Sequence, residues 1–389
     1  MIRKKLPEVQ AFLKSQNIDG WLIFDFRGTN PFMHKVFQPG KGGMLSRRWF
    51  LWVPAKGEPK VLVHDIEFGS FPKTEFELRK YNGRETLVGE VQKLLGKSKT
   101  IAMEYSPGGN NPYVSKVDAG TMDMMRELGV KVVGSGDLLQ LFLAWTSKQL
   151  ANHKKASGVL TATKDFALNM LRDQIAFKKP ITEYELQQAM NRFMQDHGMD
   201  PGHPPIVGFD VKSNDPHYSP SEKNQRRLKP GPILMDLWCK VPGDNPFADI
   251  TWMAHWGAPS KKFIQVFDSV LASRDAGLEL LNARQSSGQV VRGYEVDRVV
   301  RQVLIEAGYE KWLKHRTGHS LGISAVHGEA AHFDGFETLD ERAVLPSLGF
   351  TIEPGVYTPE FGIRSEINVY LQQNRVEVTT AIQRKLDVL

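Results

Sequence analysis

Four carboxylates sit inside apolar segments, and that placement constrains the fold of this 389-residue chain more than any other feature. Asp236 interrupts the apolar run 232–238, Asp249 opens the run 249–253, Glu353 follows 349–352, and Glu366 lies within 362–370. An ionised carboxylate in an apolar strand is stable only when it is paired, hydrogen-bonded or bound to a cation. Asp236 and Asp249 are 13 residues apart, and so are Glu353 and Glu366. Pro242, Gly243 and Pro246 lie in the first interval and Pro359 and Gly362 in the second, so both read as strand–turn–strand. Adjacent antiparallel strands run about 4.8 Å apart, so each hairpin is expected to set its two acids side by side. Two converging hairpins would bring four negative oxygen ligands to one point. Without cations, such a cluster strongly resists ionisation.

A fifth element is the segment 315–322, in which Gly318 and Gly322 permit close backbone approach and His319 offers a neutral imidazole nitrogen. Four carboxylates and one histidine form the ligand set of a site for two divalent cations, with oxygen ligands predominating. Paired ions about 3.5–4 Å apart acidify water and polarise a carbonyl, which makes amide hydrolysis the natural reaction class. Strand alternation turns Cys239, the only cysteine, away from Asp236 and Trp238, so it is expected to pack rather than ligate. One cysteine forms no internal disulfide, which fits a reducing compartment.

Residues 1–146 read as one α/β domain, with a helix carrying Leu6, Val9, Phe12 and Leu13, a buried strand at 21–26, and a hairpin at 49–53 and 61–64. Further strands are expected at 100–104 and 131–133, with a helix between them. From 147 the texture changes, and 147–389 reads as a second domain. Ser147 is the expected cap of a long helix; Thr182 and Glu185 form a capping box for a second. Helices at 261–281 and 294–307 follow, among strands at 206–209, 233–239, 250–253, 350–352 and 363–371. With 41% hydrophobic and 24% charged residues, the composition excludes wholesale disorder, and no run approaches the ~20 apolar residues of a membrane span. The N-terminus lacks the apolar run of an export signal, so a cytoplasmic protein is expected. The net charge of +6 is scattered, and no nucleic-acid-binding face is expected.

From 147 to about 370 the chain resembles the pita-bread metallopeptidases: prolidase, aminopeptidase P and methionine aminopeptidase. The matching segments run in family order: 206–220, 234–251, 315–322, 325–329, 340–357 and 362–369. The leading domain resembles the creatinase-type N-terminal domain in length and texture, which favours the proline-specific branch. The expected fold is therefore an α/β domain followed by an α+β pita-bread catalytic domain.

The resemblance implies that Asp236 binds one ion with both oxygens and that Asp249 and Glu366 bridge the two ions. It implies that His319 and Glu353 complete the second ion, with Glu353 as general base. His217 and His327 match the family's two non-ligand histidines, which contact the substrate carbonyl. The plainer readings are a loop histidine bonded to Asp215 and a core residue beside Val326. Arg364, two residues before Glu366, is a candidate to orient substrate or a ligand, with a surface salt bridge as the plainer reading. Arg342 and Arg316 are candidates for gripping a free carboxylate. Manganese is the expected ion, with cobalt or zinc as substitutes, and a homodimer is implied. The chain departs from the family at Trp238, where a small residue is usual, and in the loop after His327.

The implied activity is cleavage of the Xaa-Pro bond, prolidase-like on proline-containing dipeptides. The alternative is an aminopeptidase acting on longer peptides. A metal-free hydrolase of the creatinase type and a non-catalytic peptide-binding homologue are the remaining readings. Intact carboxylates count against both.

Overall fold

Side-chain alternation along buried strands decides the layering of both parts of the chain. The computed structural model describes residues 1–37, 45–71, 76–179 and 181–389. Two compact units divide it, Met1–Leu143 and Ala144–Leu389.

In the first unit six strands form one mixed sheet, in the order Glu77–Tyr81, Lys60–His64, Trp49–Pro54, Gly20–Asp25, Thr100–Met103, Lys131–Gly134. Every residue of the Gly20–Asp25 strand is buried, as expected for a strand covered on both faces. Trp21 and Ile23 pack with Leu6, Val9 and Leu13 of helix Ile2–Ser15. Leu22 and Phe24 point the other way, into a core with Leu87 and Val91 of helix Arg84–Leu95 and Met125 of helix Ala119–Glu127. The hairpin at Trp49–Pro54 and Lys60–His64 is antiparallel.

In the second unit Asp387–Val388, Ala248–Trp256, Gly231–Cys239 and Ile206–Phe209 form a four-stranded sheet in that order. Ile233, Met235, Leu237 and Cys239 face a core with Leu160, Leu168, Leu186 and Met190 from helices Ser147–Ala176 and Glu183–Asp196. Leu234 takes the opposite face with Phe263, Val266 and Val270 of helix Lys261–Ser287. Asp236 and Trp238 share that opposite face by alternation. Helix Gly293–Glu306 completes a second pair of one long and one 14-residue helix. Among the described residues no helix is long and apolar enough to cross a membrane.

Three local features differ from the expectations. Thr146, rather than Ser147, caps the first long helix. Its hydroxyl accepts from Gln149 N at 3.2 Å, and Gln149 Oε1 accepts from Thr146 N at 2.8 Å. Second, Asp236 stands opposite Thr251 and Asp249 opposite Trp238, so the two aspartates are staggered by two positions rather than side by side. A stagger of two preserves the face, because side chains alternate with period two.

Third, the strand expected over 363–371 is divided into Gly362–Arg364 and Ile367–Leu371. Pro354 causes the break. It has no N–H to give the ladder, and only a long bond remains there, from Ser365 N to Pro354 O at 3.4 Å. Ile352 pairs with Ile367 and Gly355 with Arg364 across the break, so Glu353 and Glu366 face each other at it.

Thr146→Ala should cost about 1 kcal/mol of stability in urea unfolding, whereas Ser147→Ala should stay within about 0.5 kcal/mol of wild type. Equal effects would overturn the assignment of the cap.

Candidate metal centre

Gly318 lets the histidine segment reach its strand. A Cβ there would lie 2.2 Å from the Thr351 carbonyl oxygen, so a side chain would push the segment off strand Gly349–Ile352. The close approach places His319 N–H 2.9 Å from Thr351 Oγ1, which in turn donates to Glu353 Oε1 at 3.0 Å. His319 Nδ1 is 2.9 Å from the Ser320 carbonyl. A carbonyl only accepts, so Nδ1 carries the proton and Nε2 presents its lone pair. Nε2 lies 3.3 Å from Glu353 Oε1 and 3.7 Å from Asp249 Oδ2. Burial and then the Arg316 charge lower the His319 pKa to about 3. The ring is therefore neutral, and these contacts are not ion pairs. They are acceptors turned toward a common point.

Asp249, His319 and Glu366 each bring one ligand atom within 4.8 Å of the others. Asp249 Oδ1 and Glu366 Oε1 are buried without a hydrogen-bond partner. Buried carboxylate oxygens are costly unless a donor or cation takes them. This donor set, oxygen-rich with one imidazole, fits a divalent cation.

The electrostatics agree. Burial raises the pKa of Asp249 and Glu366 well above the usual carboxylate range, and neighbouring carboxylates add to the rise. Asp236 is raised to about 6 by burial, against the lowering effect of Arg364.

A polarised chain of hydrogen bonds ties the acids together. Arg364 pairs through Nη2 with Asp236 Oδ2, and its Nε donates to Thr251 Oγ1 at 2.9 Å. Thr251 Oγ1 donates to Glu366 Oε2 at 2.9 Å. Arg364 Nη1 donates to the Tyr357 oxygen at 3.1 Å, and Tyr357 Oη lies 2.7 Å from His315 Nε2. Asn368 Oδ1 accepts from Asp249 N at 2.8 Å. The sequence reading missed Thr251, Thr351, Asn368, Tyr357 and His315. A signal existed for the first three: each lies two residues from a carboxylate already singled out.

The other candidates stand as follows. The His327 ring centroid is 4.1 Å from that of His319. Arg316 Nη2 donates to His327 Nδ1 at 3.2 Å, which leaves the proton on Nε2. The neighbouring His319 and burial lower the His327 pKa to about 3. His217 is exposed, and its main-chain N–H, not its ring, is bonded to Asp215 Oδ1 at 3.1 Å. Arg342 is not brought to the acids. Its Nε and Nη2 grip Asp340 at 2.9 and 2.6 Å, and Nη1 donates to the Glu329 carbonyl at 2.8 Å. Trp238 stands opposite Asp249, with its indole N–H buried and lacking a hydrogen-bond partner.

The chain belongs to metallopeptidase family M24, whose pattern matches residues 151–373. It is therefore a peptidase, and members of that family use divalent metals. An uncharacterized peptidase of Schizosaccharomyces pombe is 30% identical over 196 residues, which span 50% of this chain and 41% of that protein. An uncharacterized peptidase of Staphylococcus epidermidis is 24% identical over 98% of this chain and 99% of its own length.

Among solved structures, dipeptidase PepE of Mycobacterium ulcerans superposes with a TM-score of 0.67 at 22% identity, over 100% of this chain and 97% of that one. The Xaa-Pro dipeptidase of Bacillus anthracis gives 0.59 at 19% identity over the full length of both chains. The X-Pro aminopeptidase of Thermotoga maritima gives 0.57 at 22% identity, over 96% and 98%. These likenesses establish the fold, an α/β unit followed by a pita-bread unit.

The raised carboxyl values fix the sign of a pH effect. For Asp236 the stability contributed by the protonated carboxyl is complete below about pH 4 and is lost as pH rises through about 6. The raised carboxyls of Asp249 and Glu366 act in the same direction. In chelator, Asp249→Asn should therefore gain stability relative to wild type as pH rises above the ordinary carboxylate pKa of about 4. Urea unfolding of both proteins measures the difference, and a pH-independent difference would contradict the account.

Proposed function

We propose that this chain is a two-metal peptidase cleaving the peptide bond before proline, prolidase-like in acting on dipeptides that end in proline. The observation that carries the metal part is the pair of buried, unpartnered oxygens on Asp249 and Glu366 beside the lone pair of His319. The proline specificity is supported by the sequence resemblance and by the names of structural neighbours that are prolidases or Xaa-Pro dipeptidases.

In this reading Asp236, Asp249, His319, Glu353 and Glu366 hold the ions, manganese first, with cobalt or zinc as substitutes. Such ions, when bound, supply Lewis-acid polarisation and a more acidic water. The chain's own residues do the rest. Glu353 takes the proton of the attacking water and delivers it to the leaving nitrogen. His327, neutral and protonated on Nε2, donates to the substrate carbonyl oxygen, and His217 approaches the same oxygen. Arg364 holds Asp236 in place through a charge-assisted bond. A cytoplasmic homodimer belongs to the same proposal, on resemblance and on the lone buried cysteine.

The test compares Xaa-Pro with Xaa-Pro-Yaa peptides in one preparation, with and without added Mn²⁺. Manganese-dependent hydrolysis of Xaa-Pro is the expected result. Preference for Xaa-Pro-Yaa would favour an aminopeptidase, and full activity after metal stripping would defeat the metal reading. Glu366→Ala should lose both bound metal and activity. Thr251→Val, which removes the hydroxyl bonded to Glu366, should weaken metal binding about 10- to 100-fold in a calorimetric titration.

A further inference from the structure

We propose that Glu183 is a positioning residue for His217, its buried carboxylate holding both stems of the loop that carries the histidine. The inference rests on the reading of His217 as a group that contacts substrate. His217 is exposed, so burial does not fix its place.

Its loop is held in two ways. The near half is pinned to the 355–364 hairpin and its surroundings. Asn214 Nδ2 donates to the Thr358 carbonyl at 3.0 Å, Gly362 N to Ser213 Oγ at 2.9 Å, and Lys314 Nζ to the Asn214 carbonyl at 2.7 Å. The two stems and the residue after His217 converge on one carboxylate. Glu183 Oε2 accepts from Tyr218 Oη at 2.6 Å and from Arg226 N at 2.7 Å, while Oε1 accepts from Phe209 N at 2.7 Å. Phe209 and Arg226 are the two stems of the loop, and Tyr218 is the residue after His217. A single side chain thus clamps both stems and His217's immediate neighbour.

The arrangement is selective for an acid. Glu183 is fully buried in the first turn of helix Glu183–Asp196, where Thr182 supplies the cap. Burying a carboxylate is costly, and three donors offset that cost. An apolar residue would fill the space without it, but could not gather three donors. Tyr218 is itself buried, so its ring anchors the backbone next to an exposed His217.

The experiment is a double-mutant cycle on the metal-loaded protein with an Xaa-Pro dipeptide. Glu183→Gln should lower kcat about 10- to 100-fold when His217 is present, the scale of misplacing a reacting group by about an ångström. In a His217→Ala background it should change kcat less than about twofold, because a partner acting through the histidine has nothing left to position. Bound metal per chain should stay constant. Tyr218→Phe, which keeps the ring and removes one donor, should show a smaller loss with the same dependence on His217.

Equal losses in both backgrounds would overturn the proposal in favour of a general structural role. Unchanged activity in His217→Ala alone would overturn it together with the role assigned to His217. Hydrogen exchange separates this failure from failure of the peptidase reading. Glu183→Gln should speed exchange at the Phe209 and Arg226 amides and leave the Gly231–Cys239 strand as it was. Unchanged exchange at those two amides would defeat the proposal whatever the activity.

Discussion

Repulsion among buried carboxylates is the constraint around which the catalytic unit is built. Burial and mutual proximity push Asp249 and Glu366 far above the ordinary carboxylate range, and the surroundings do little to relieve it. His319 and His327 are held neutral, each with its pKa lowered to about 3. Arg364 places its guanidinium on Asp236 and reaches Glu366 through Thr251. Neutral donors elsewhere could satisfy Asp249 and Glu366, yet one oxygen of each is left bare. The deficit of positive charge is built in, and a divalent cation is what such a deficit accommodates.

Much of this was legible in the sequence because it rests on local periodicity. Carboxylates in apolar runs and a glycine-flanked histidine are visible as residues, and alternation alone puts Asp236 and Cys239 on opposite faces. The capping box at Thr182 and Glu185 is likewise a short-range pattern, and the observed helix starts there. The same periodicity could have gone further. Thr251, Thr351 and Asn368 lie two residues from named acids, but a threonine in a strand carries no cost that draws attention to it.

What was not legible depends on pairing between segments far apart in the chain. The two-residue stagger of Asp236 against Asp249 is set by the turn between their strands, and spacing alone does not give a register. Arg342 was a candidate for gripping a substrate carboxylate, but Asp340, two residues away, takes its fork. Glu183 drew no notice in the sequence, where Thr182 and Glu185 marked the helix start. Its three donors come from positions 26, 35 and 43 residues distant. A buried acid whose partners lie in a later loop leaves no local trace.

Two of the acids come from one sheet and two from the breaks between a pair of smaller ones. Asp236 and Asp249 belong to the four-stranded sheet, and Glu353 and Glu366 flank strands of the hairpin that follows. Side-chain bridges cross that seam: Thr251 to Glu366, Asn368 to the Asp249 amide, and Arg364 to Asp236. An ion seated there would be gauged by the gap between two rigid plates, not by the flexibility of a loop. Ion-size preference then becomes a property of how the helices behind each plate are shimmed. A substitution deep in that packing, remote from every ligand, would retune which cation fits.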